Sequence, residues 1–113
     1  MRTFRVREAY DAAYPDPLVV EKGDRLVFER RPSEWSGWIW CTDAGGKGGW
    51  VPEAWVAIDG ARCTMTRDYS ARELTVGAGD VLKASMEVSG WVWCIGRRGD
   101  AGWVPLDHLE PTT

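Results

Sequence analysis

Side chains that could carry out chemistry are few in this 113-residue sequence. His108 is the single histidine, and a catalytic or metal-binding histidine needs further donors held close to it. Gly45-Gly46-Lys47-Gly48-Gly49 lacks the G-x-x-x-x-G-K-[ST] spacing of a phosphate loop and precedes a strand pattern, which favours a hairpin turn. We therefore predict that the chain is not an enzyme and that it holds neither a metal nor a cofactor.

The three cysteines also give no sign of a reactive site. Cys41, Cys63 and Cys94 are odd in number, and no pair shows the C-x-x-C spacing of a zinc or redox centre. Free cysteine is among the most frequently buried residue types. We predict three buried structural thiols and no disulfide.

Charge and hydropathy narrow the range of partners. The formal net charge is −3, and neither half of the chain is basic, which argues against the phosphate-binding surface of a nucleic-acid-binding protein. The N-terminal segment lacks the apolar core of a signal peptide, and no apolar run approaches the length of a membrane span. Together with unpaired thiols, these features predict a soluble, cytoplasmic protein that binds neither nucleic acid nor membrane.

The sequence segments that would position any site occur twice in the chain. Two phrases in the first half of the chain recur in the second half at a constant offset of 53 residues, which indicates an internal repeat. We predict two domains, 1–58 and 63–113, whose short join at 59–62 packs them together in a fixed orientation. The phrases are Gly37-Trp38-Ile39-Trp40-Cys41 with Gly49-Trp50-Val51-Pro52, and Gly90-Trp91-Val92-Trp93-Cys94 with Gly102-Trp103-Val104-Pro105.

In both repeats apolar and polar residues alternate with the period of two that is typical of half-buried strands, and neither repeat contains a helical pattern. The chain is therefore predicted to be all-β. The alternation predicts that one set of side chains points inward: Ile39, Cys41 and Val51 with their counterparts Val92, Cys94 and Val104. It predicts that the tryptophans point outward and that Trp38 and Trp91 are exposed. Residues 32–37 are predicted to form a polar loop and Glu53-Ala54-Trp55 a tight turn. The predicted strands are 3–10, 18–20, 25–31, 38–42, 50–52, 63–67, 74–76, 81–82, 91–95 and 103–104.

Four phrases in each repeat resemble the Src-homology-3 (SH3) family pattern, in the same order and over nearly the whole chain. That pattern runs from A-L-Y-D-Y through E-L-x-F-x-x-G-D and W-W-x-A to G-x-x-P-x-N-Y-V. The first repeat offers Ala9-Tyr10-Asp11, 18–24, 38–41 and 49–56, and the second offers Asp68-Tyr69, 73–80, 91–94 and 102–109.

The resemblance implies two small five-stranded barrels packed against each other, each with an aromatic groove that docks proline-rich peptides in the polyproline II conformation. Acidic loop residues would hold a basic residue of the ligand. The first groove would contain Tyr10, Trp38, Trp50, Pro52 and Trp55, with Asp16 as its acid, and the second would contain Tyr69, Trp91, Trp103 and Pro105, with Glu73 and with His108 in place of the last tyrosine.

The second repeat departs from the pattern at one further position. Arg67 stands where the family usually has an aromatic residue, and its charge would repel a basic ligand. We therefore expect the first groove to bind peptide better. The predicted function is a non-enzymatic tandem adaptor that binds proline-rich or extended segments of a partner protein; the alternative is a structural docking subunit or a relative of SH3-like domains that bind cell-wall polymers.

Overall fold

A computed structural model describes residues 2–14, 16–31 and 36–112 of the chain. The only helical segments among them are two single 3₁₀ turns, Glu53–Trp55 and Leu106–His108, so the all-β prediction is confirmed. The strands are β1 (Arg2–Val6), β2 (Val19–Val20), β3 (Arg25–Glu29), β4 (Trp38–Thr42), β5 (Gly48–Pro52), β6 (Val56–Asp59), β7 (Arg62–Met65), β8 (Tyr69–Ser70), β9 (Val81–Val88), β10 (Trp91–Ile95), β11 (Ala101–Pro105) and β12 (Leu109–Pro111).

The strands form two compact units whose boundaries differ from those of the sequence repeats. One unit combines Met1–Pro15 with Arg72–Thr113, and we call it the composite unit. The other is Asp16–Ala71, and we call it the contiguous unit. The predicted domains 1–58 and 63–113 follow the sequence repeat. The compact units have other boundaries because each unit includes a strand from the other repeat.

In the composite unit, the N-terminal strand completes a sheet made by the second repeat. The strand order is β11-β10-β9-β1-β12, and every neighbouring pair is antiparallel. Thus β1 lies between β9 and β12. One core joins the two segments: Phe4, Val6, Leu74, Val76, Leu82, Ala84, Val92, Cys94, Val104 and Leu109.

The contiguous unit has the same strand order, β5-β4-β3-β7-β6, with β7 in the place that β1 takes in the composite unit. Strands β2 and β8 add a short antiparallel pair. Its buried apolar residues include Leu18, Leu26, Ile39, Val51 and Met65. Since β7 belongs to the second sequence repeat, each unit borrows one strand from the other repeat.

The exchange has a local cause at the join. Asp59 pairs with Arg62 across β6 and β7, so Gly60-Ala61 is the two-residue loop of a β-hairpin. Gly60 has φ +64°, a conformation that glycine adopts without steric cost. A hairpin holds its two strands in one sheet, so the join that the sequence suggested was an interdomain link instead fixes β7 beside β6.

Matching turns confirm that β1 and β7 are equivalent strands. The Asp24 carboxylate accepts the amide of Glu21 at 2.9 Å, and the Asp80 carboxylate accepts the amide of Gly77 at 2.9 Å. Val6 pairs with Leu109, and Met65 pairs with Val56, which lies 53 residues before Leu109. Val6 and Met65 therefore hold the same place in the two units, and by the same register so do Tyr10 and Tyr69.

Alternation predicted the core correctly. Ile39, Cys41 and Val51, and their counterparts Val92, Cys94 and Val104, are all at most 1% exposed. Some strand limits differ: β9 runs to Val88 rather than ending at 82, and only Val76 of the predicted strand 74–76 makes a bridge. Residues 32–35 of the predicted loop lie outside the described residues.

The glycine that begins each Gly-Trp-Val-Pro phrase is required by packing. A Cβ on Gly102 would lie 2.7 Å from backbone atoms of Glu73 and Leu74, and a Cβ on Gly49 would lie 2.8 Å from Cβ of Leu18. Real Cβ atoms do not approach other atoms so closely. In each unit a chain segment crosses directly over β5 or β11, and only glycine leaves room for it.

The cysteines are reduced and buried, as predicted. Cys41 and Cys63 face each other in the contiguous unit with Sγ atoms 3.9 Å apart, which is a contact between thiols and not a disulfide. Burial raises the pKa of all three thiols above the ordinary value. Raised pKa values keep the cysteines in the unreactive thiol form.

Candidate functional site: two aromatic clusters

Tyr10 is the centre of an aromatic cluster in the composite unit, which we call the Tyr10 cluster. Its ring lies edge-on to Trp91 with centroids 5.7 Å apart, and edge-on to His108 at 5.4 Å. The first repeat supplies the tyrosine and the second supplies the other two rings, so strand exchange assembles the cluster. Edge-to-face packing of this kind stabilises aromatic groups beyond the area they bury.

A carboxylate holds Tyr10 and the loop that follows it. The Tyr10 hydroxyl donates to Glu73 Oε1 at 2.7 Å, and the backbone amide of Ala13 donates to the same oxygen at 2.8 Å. Burial, followed by the hydrogen bond to Glu73, raises the pKa of the Tyr10 hydroxyl. Glu73 therefore has a structural task in addition to any contact with a ligand.

The tryptophans of this unit are largely covered, which corrects the prediction that Trp91 is exposed. Trp91 is 9% exposed to solvent and Trp103 is 3% exposed, and Pro105 is fully buried. Trp103 packs edge-on against Trp93, and its backbone pairs with the segment at Arg72 to Leu74. Alternation assigned these residues to the correct strand face, but a second chain segment covers that face.

The contiguous unit contains the counterpart, which we call the Trp55 cluster. The Trp55 ring lies edge-on to Tyr69 at 5.7 Å, and the guanidinium carbon of Arg67 lies 4.0 Å from the Trp55 ring centroid. Tyr69 is buried, and its hydroxyl donates to the backbone carbonyl of Trp50 at 2.8 Å. Tyr69 thus supports the cluster from the core side.

Tryptophan rings in this unit are more accessible than their counterparts. Trp38, Trp50 and Trp55 are all half-buried. Trp38 lies opposite Pro52 in the β4–β5 ladder, and Pro52 leads directly into the 3₁₀ turn that ends at Trp55. Pro52 itself is fully buried, so the exposed aromatic area comes from the tryptophans.

Three carboxylates of the contiguous unit have partners within that unit. Asp16, the predicted acidic partner of a ligand, forms an ion pair with Lys47 at 2.9 Å. Glu53 accepts two hydrogen bonds from Arg30, at 2.8 and 3.1 Å, and these hold the pKa of its carboxyl below the ordinary value. The Asp68 carboxylate accepts the amide of Lys22 at 2.9 Å.

The structure therefore regroups the predicted site residues. Tyr10 was expected beside Trp38 and Trp55, and the structure places it with Trp91 and His108. Arg67 was expected beside the second repeat's tryptophans, and it lies on Trp55. Sequence comparison within one repeat could not reveal these neighbours; the signal that could have done so is Gly60, whose place between two extended segments is typical of a hairpin turn.

Comparison with protein families finds the same family in each of the two sequence repeats. The family model described as "Variant SH3 domain" matches the chain twice, over residues 3–59 and 61–112. Since the two matches span nearly the whole chain, the protein belongs to the SH3 family, and its two units are SH3-like all-β barrels. A search of curated proteins and a search of solved structures gave no significant match.

Membership of this family defines the general class of the protein. SH3 domains are generally protein-interaction modules, and the family is typically non-catalytic. Across the described residues, no group of three or more histidine, cysteine or acidic side chains is arranged to hold a metal ion. Nor does that part of the chain include a helix that is long and apolar enough to cross a membrane.

Proposed function

We propose that this protein binds an extended, proline-rich segment of a partner protein on the surface of the contiguous unit that carries Trp38, Trp50 and Trp55. The observation that carries the proposal is the difference in exposure between equivalent residues. Trp38 and Trp50 are half-buried, whereas their counterparts Trp91 and Trp103 are 9% and 3% exposed. The contiguous unit therefore offers more aromatic surface to a ligand.

The core does not require these rings. Ile39, Cys41 and Val51 already fill the inward face of β4 and β5 and are at most 1% exposed. Keeping large apolar rings partly in water brings no benefit to folding, and such surfaces are typical of binding sites. A polyproline II segment loses little conformational entropy on binding and presents flat rings that pack against tryptophan.

The proposal is tested with fluorescein-labelled peptides that contain two prolines separated by two residues, using fluorescence anisotropy. Trp55→Ala is expected to weaken binding about tenfold or more, as truncation of a central aromatic commonly does. Val27→Ala on β3 of the same unit is the control, because Val27 is 51% exposed and lies outside the cluster. Far-UV circular dichroism and a thermal melt establish that each variant is folded.

Two results would contradict the proposal. One is the failure of every proline-rich peptide to bind with saturation. The other is a loss of binding with His108→Ala but not with Trp55→Ala. His108 holds the position of Trp55 in the composite unit, so this outcome would place the ligand on the other unit.

A further inference from the structure

The N-terminal segment (residues 2–14) is bound within the composite unit by residues that follow the contiguous unit in the sequence. The amide of Val6 donates to the carbonyl oxygen of Asp80, and the carbonyl oxygen of Val6 accepts the amide of Gly79, both at 2.8 Å. Tyr10 and Val76 exchange two backbone hydrogen bonds of 3.0 and 2.9 Å. The segment also bonds to four further residues: Glu73, Thr75, His108 and Thr112. Residues 73–112 thus bind the segment, and we call them the acceptor.

The acceptor holds the segment through the core as well as through hydrogen bonds. Phe4 and Val6 are 2% and 1% exposed, and β1 lies between β9 and β12 in the sheet. Without β1, the acceptor would expose apolar core residues and the unpaired edge of β9. Such an edge is a template for another strand, so the acceptor is a binding site for an extended segment with the pattern of β1.

The acceptor does not need a strand from its own sequence repeat. It belongs to the second repeat, whereas β1 belongs to the first. The chain that joins them is Asp16–Ala71, a compact unit in its own right. The hydrogen bonds and core contacts of the segment do not depend on this connection. The segment of a second copy would therefore make the same contacts with the acceptor.

The two exchanged strands differ in how the chain tethers them. β7 follows β6 after the two-residue loop Gly60-Ala61, and Asp59 pairs with Arg62 across that hairpin. β1 is not joined to either neighbour by a hairpin, because β9 and β12 both lie beyond the contiguous unit in the sequence. An exchange between chains therefore moves β1 and leaves the contiguous unit intact.

We propose that the acceptor binds the N-terminal segment of a second copy of this chain, so that two copies form a dimer by reciprocal exchange of residues 2–14. Each Tyr10 cluster of the dimer then contains Tyr10 from one copy and Trp91 and His108 from the other. Exchange preserves the contacts of the monomer, so the chain concentration during folding decides between the two forms. A tethered segment competes at an effective concentration on the order of millimolar.

Refolding the full wild-type chain at two concentrations tests whether the dimer forms. The chain is unfolded in urea under reducing conditions, refolded at about 1 μM and at about 1 mM, and measured by size-exclusion chromatography with light scattering. We expect a 12.7 kDa monomer at the lower concentration and a species of twice that mass at the higher one. The dimer should persist on dilution, because its return to monomer requires the composite unit to open. A chain that is monomeric at both concentrations, or a dimer that dissociates at once on dilution, would contradict the proposal.

Two variants of the full chain with different defects assign the dimer to the exchanged segment. Val6→Asp places a charge in the core on β1 and spoils the segment, whereas Val92→Asp places a charge in the core on β10 and spoils the acceptor. Neither variant alone can complete a composite unit. When the two are refolded together, the intact segment of one fits the intact acceptor of the other. We expect a one-to-one heterodimer, detected by native mass spectrometry, that regains near-UV circular dichroism.

A mixture of Phe4→Asp and Val6→Asp is the matched control. Both substitutions spoil the segment, so every pairing of these chains leaves the composite unit incomplete, and we expect no heterodimer. Heterodimers as abundant in this control as in the complementary mixture would mean that the chains associate through another surface, which would overturn the proposal. A complementary mixture that stays monomeric would overturn it as well.

Discussion

Val6 and Gly79 belong to different sequence repeats, and the amide of Gly79 donates a 2.8 Å hydrogen bond to the carbonyl oxygen of Val6. The amide of Gly23 donates an equally short bond to Met65 in the contiguous unit. In both units, therefore, a turn of one repeat is closed by the first strand of the other. Strand exchange determines which residues meet in each core and in each aromatic cluster.

The exchange predicts which fragments of the chain fold. Residues 16–71 contain all five strands of the contiguous sheet, and we expect this fragment to unfold cooperatively on its own. Residues 1–58 have similar length but lack Cys63 and Met65, each 1% exposed, and Tyr69. We expect the free energy of unfolding of 1–58 to be lower by about 2 kcal/mol or more, the cost typical of losing large buried side chains.

Chemical denaturation of the two fragments, followed by circular dichroism, measures the difference. Fragment 1–58 still contains β1, which could take the place of β7, but Phe4 and Val6 would then have to fill space shaped by Cys63 and Met65. Such changes of volume in a packed core are destabilising. Equal stability of the two fragments would show that the exchange is not required by packing.

The crossing of β11 by the segment at Glu73 gives a second prediction. Gly102→Ala should destabilise the composite unit by about 1–3 kcal/mol, since the new methyl group would overlap backbone atoms that cannot rotate away. Gly45→Ala is the matched control, because its Cβ would meet nothing closer than 3.5 Å. Thermal and urea unfolding of the two variants compare them; a Gly102 variant as stable as wild type would refute the steric explanation.

Local sequence pattern predicted the faces of the strands but not their neighbours. The period of two placed Ile39 and Val92 inward because alternation depends only on backbone geometry along one strand. It could not show that Tyr10 and Glu73 cover the face that carries Trp91 and Trp103. That knowledge requires the pairing of β1 with β9, a contact between distant parts of the chain that leaves no periodic signal.

The repeat itself also misled the assignment of the site. Two matching halves suggested that each groove is built from one half, so Tyr10 was grouped with Trp55. The deciding residue is Gly60, since a two-residue loop forces β6 and β7 into one sheet regardless of where the repeat begins. The sequence could not predict either that Trp38 is half-buried whereas Trp91 is almost fully buried, because the two residues have equivalent places in the sequence.

The hydrogen bond between Tyr10 and Glu73 leads to a third prediction. Tyr10→Phe keeps the ring packed against Trp91 and His108 but removes the 2.7 Å bond. We expect the composite unit to lose about 1–2 kcal/mol of stability, typical of a hydrogen bond to a charged group at a partly buried site. Urea denaturation compares the variant with wild type. An unchanged midpoint would mean that water replaces the tyrosine hydroxyl at Glu73 without cost.

The buried thiols predict that stability falls in alkaline solution. An unfolded cysteine loses its proton near about pH 8.5, whereas burial raises the pKa of Cys94 to about 12. Between these values the unfolded state has released a proton that the folded state retains, so rising pH favours unfolding. The stabilisation is complete below the unfolded pKa, and it declines by up to about 1.4 kcal/mol per pH unit for each such thiol.

Urea denaturation under reducing conditions between pH 7 and pH 10 measures this decline, and Cys94→Ala identifies its source. The cavity left by the substitution lowers stability by the same amount at every pH, whereas removal of the thiol makes the dependence of stability on pH less steep. We therefore expect the difference between wild type and variant to shrink as the pH rises above about 8.5. A difference that stays constant across this range would show that the Cys94 thiol ionises as readily in the folded unit as in the unfolded chain.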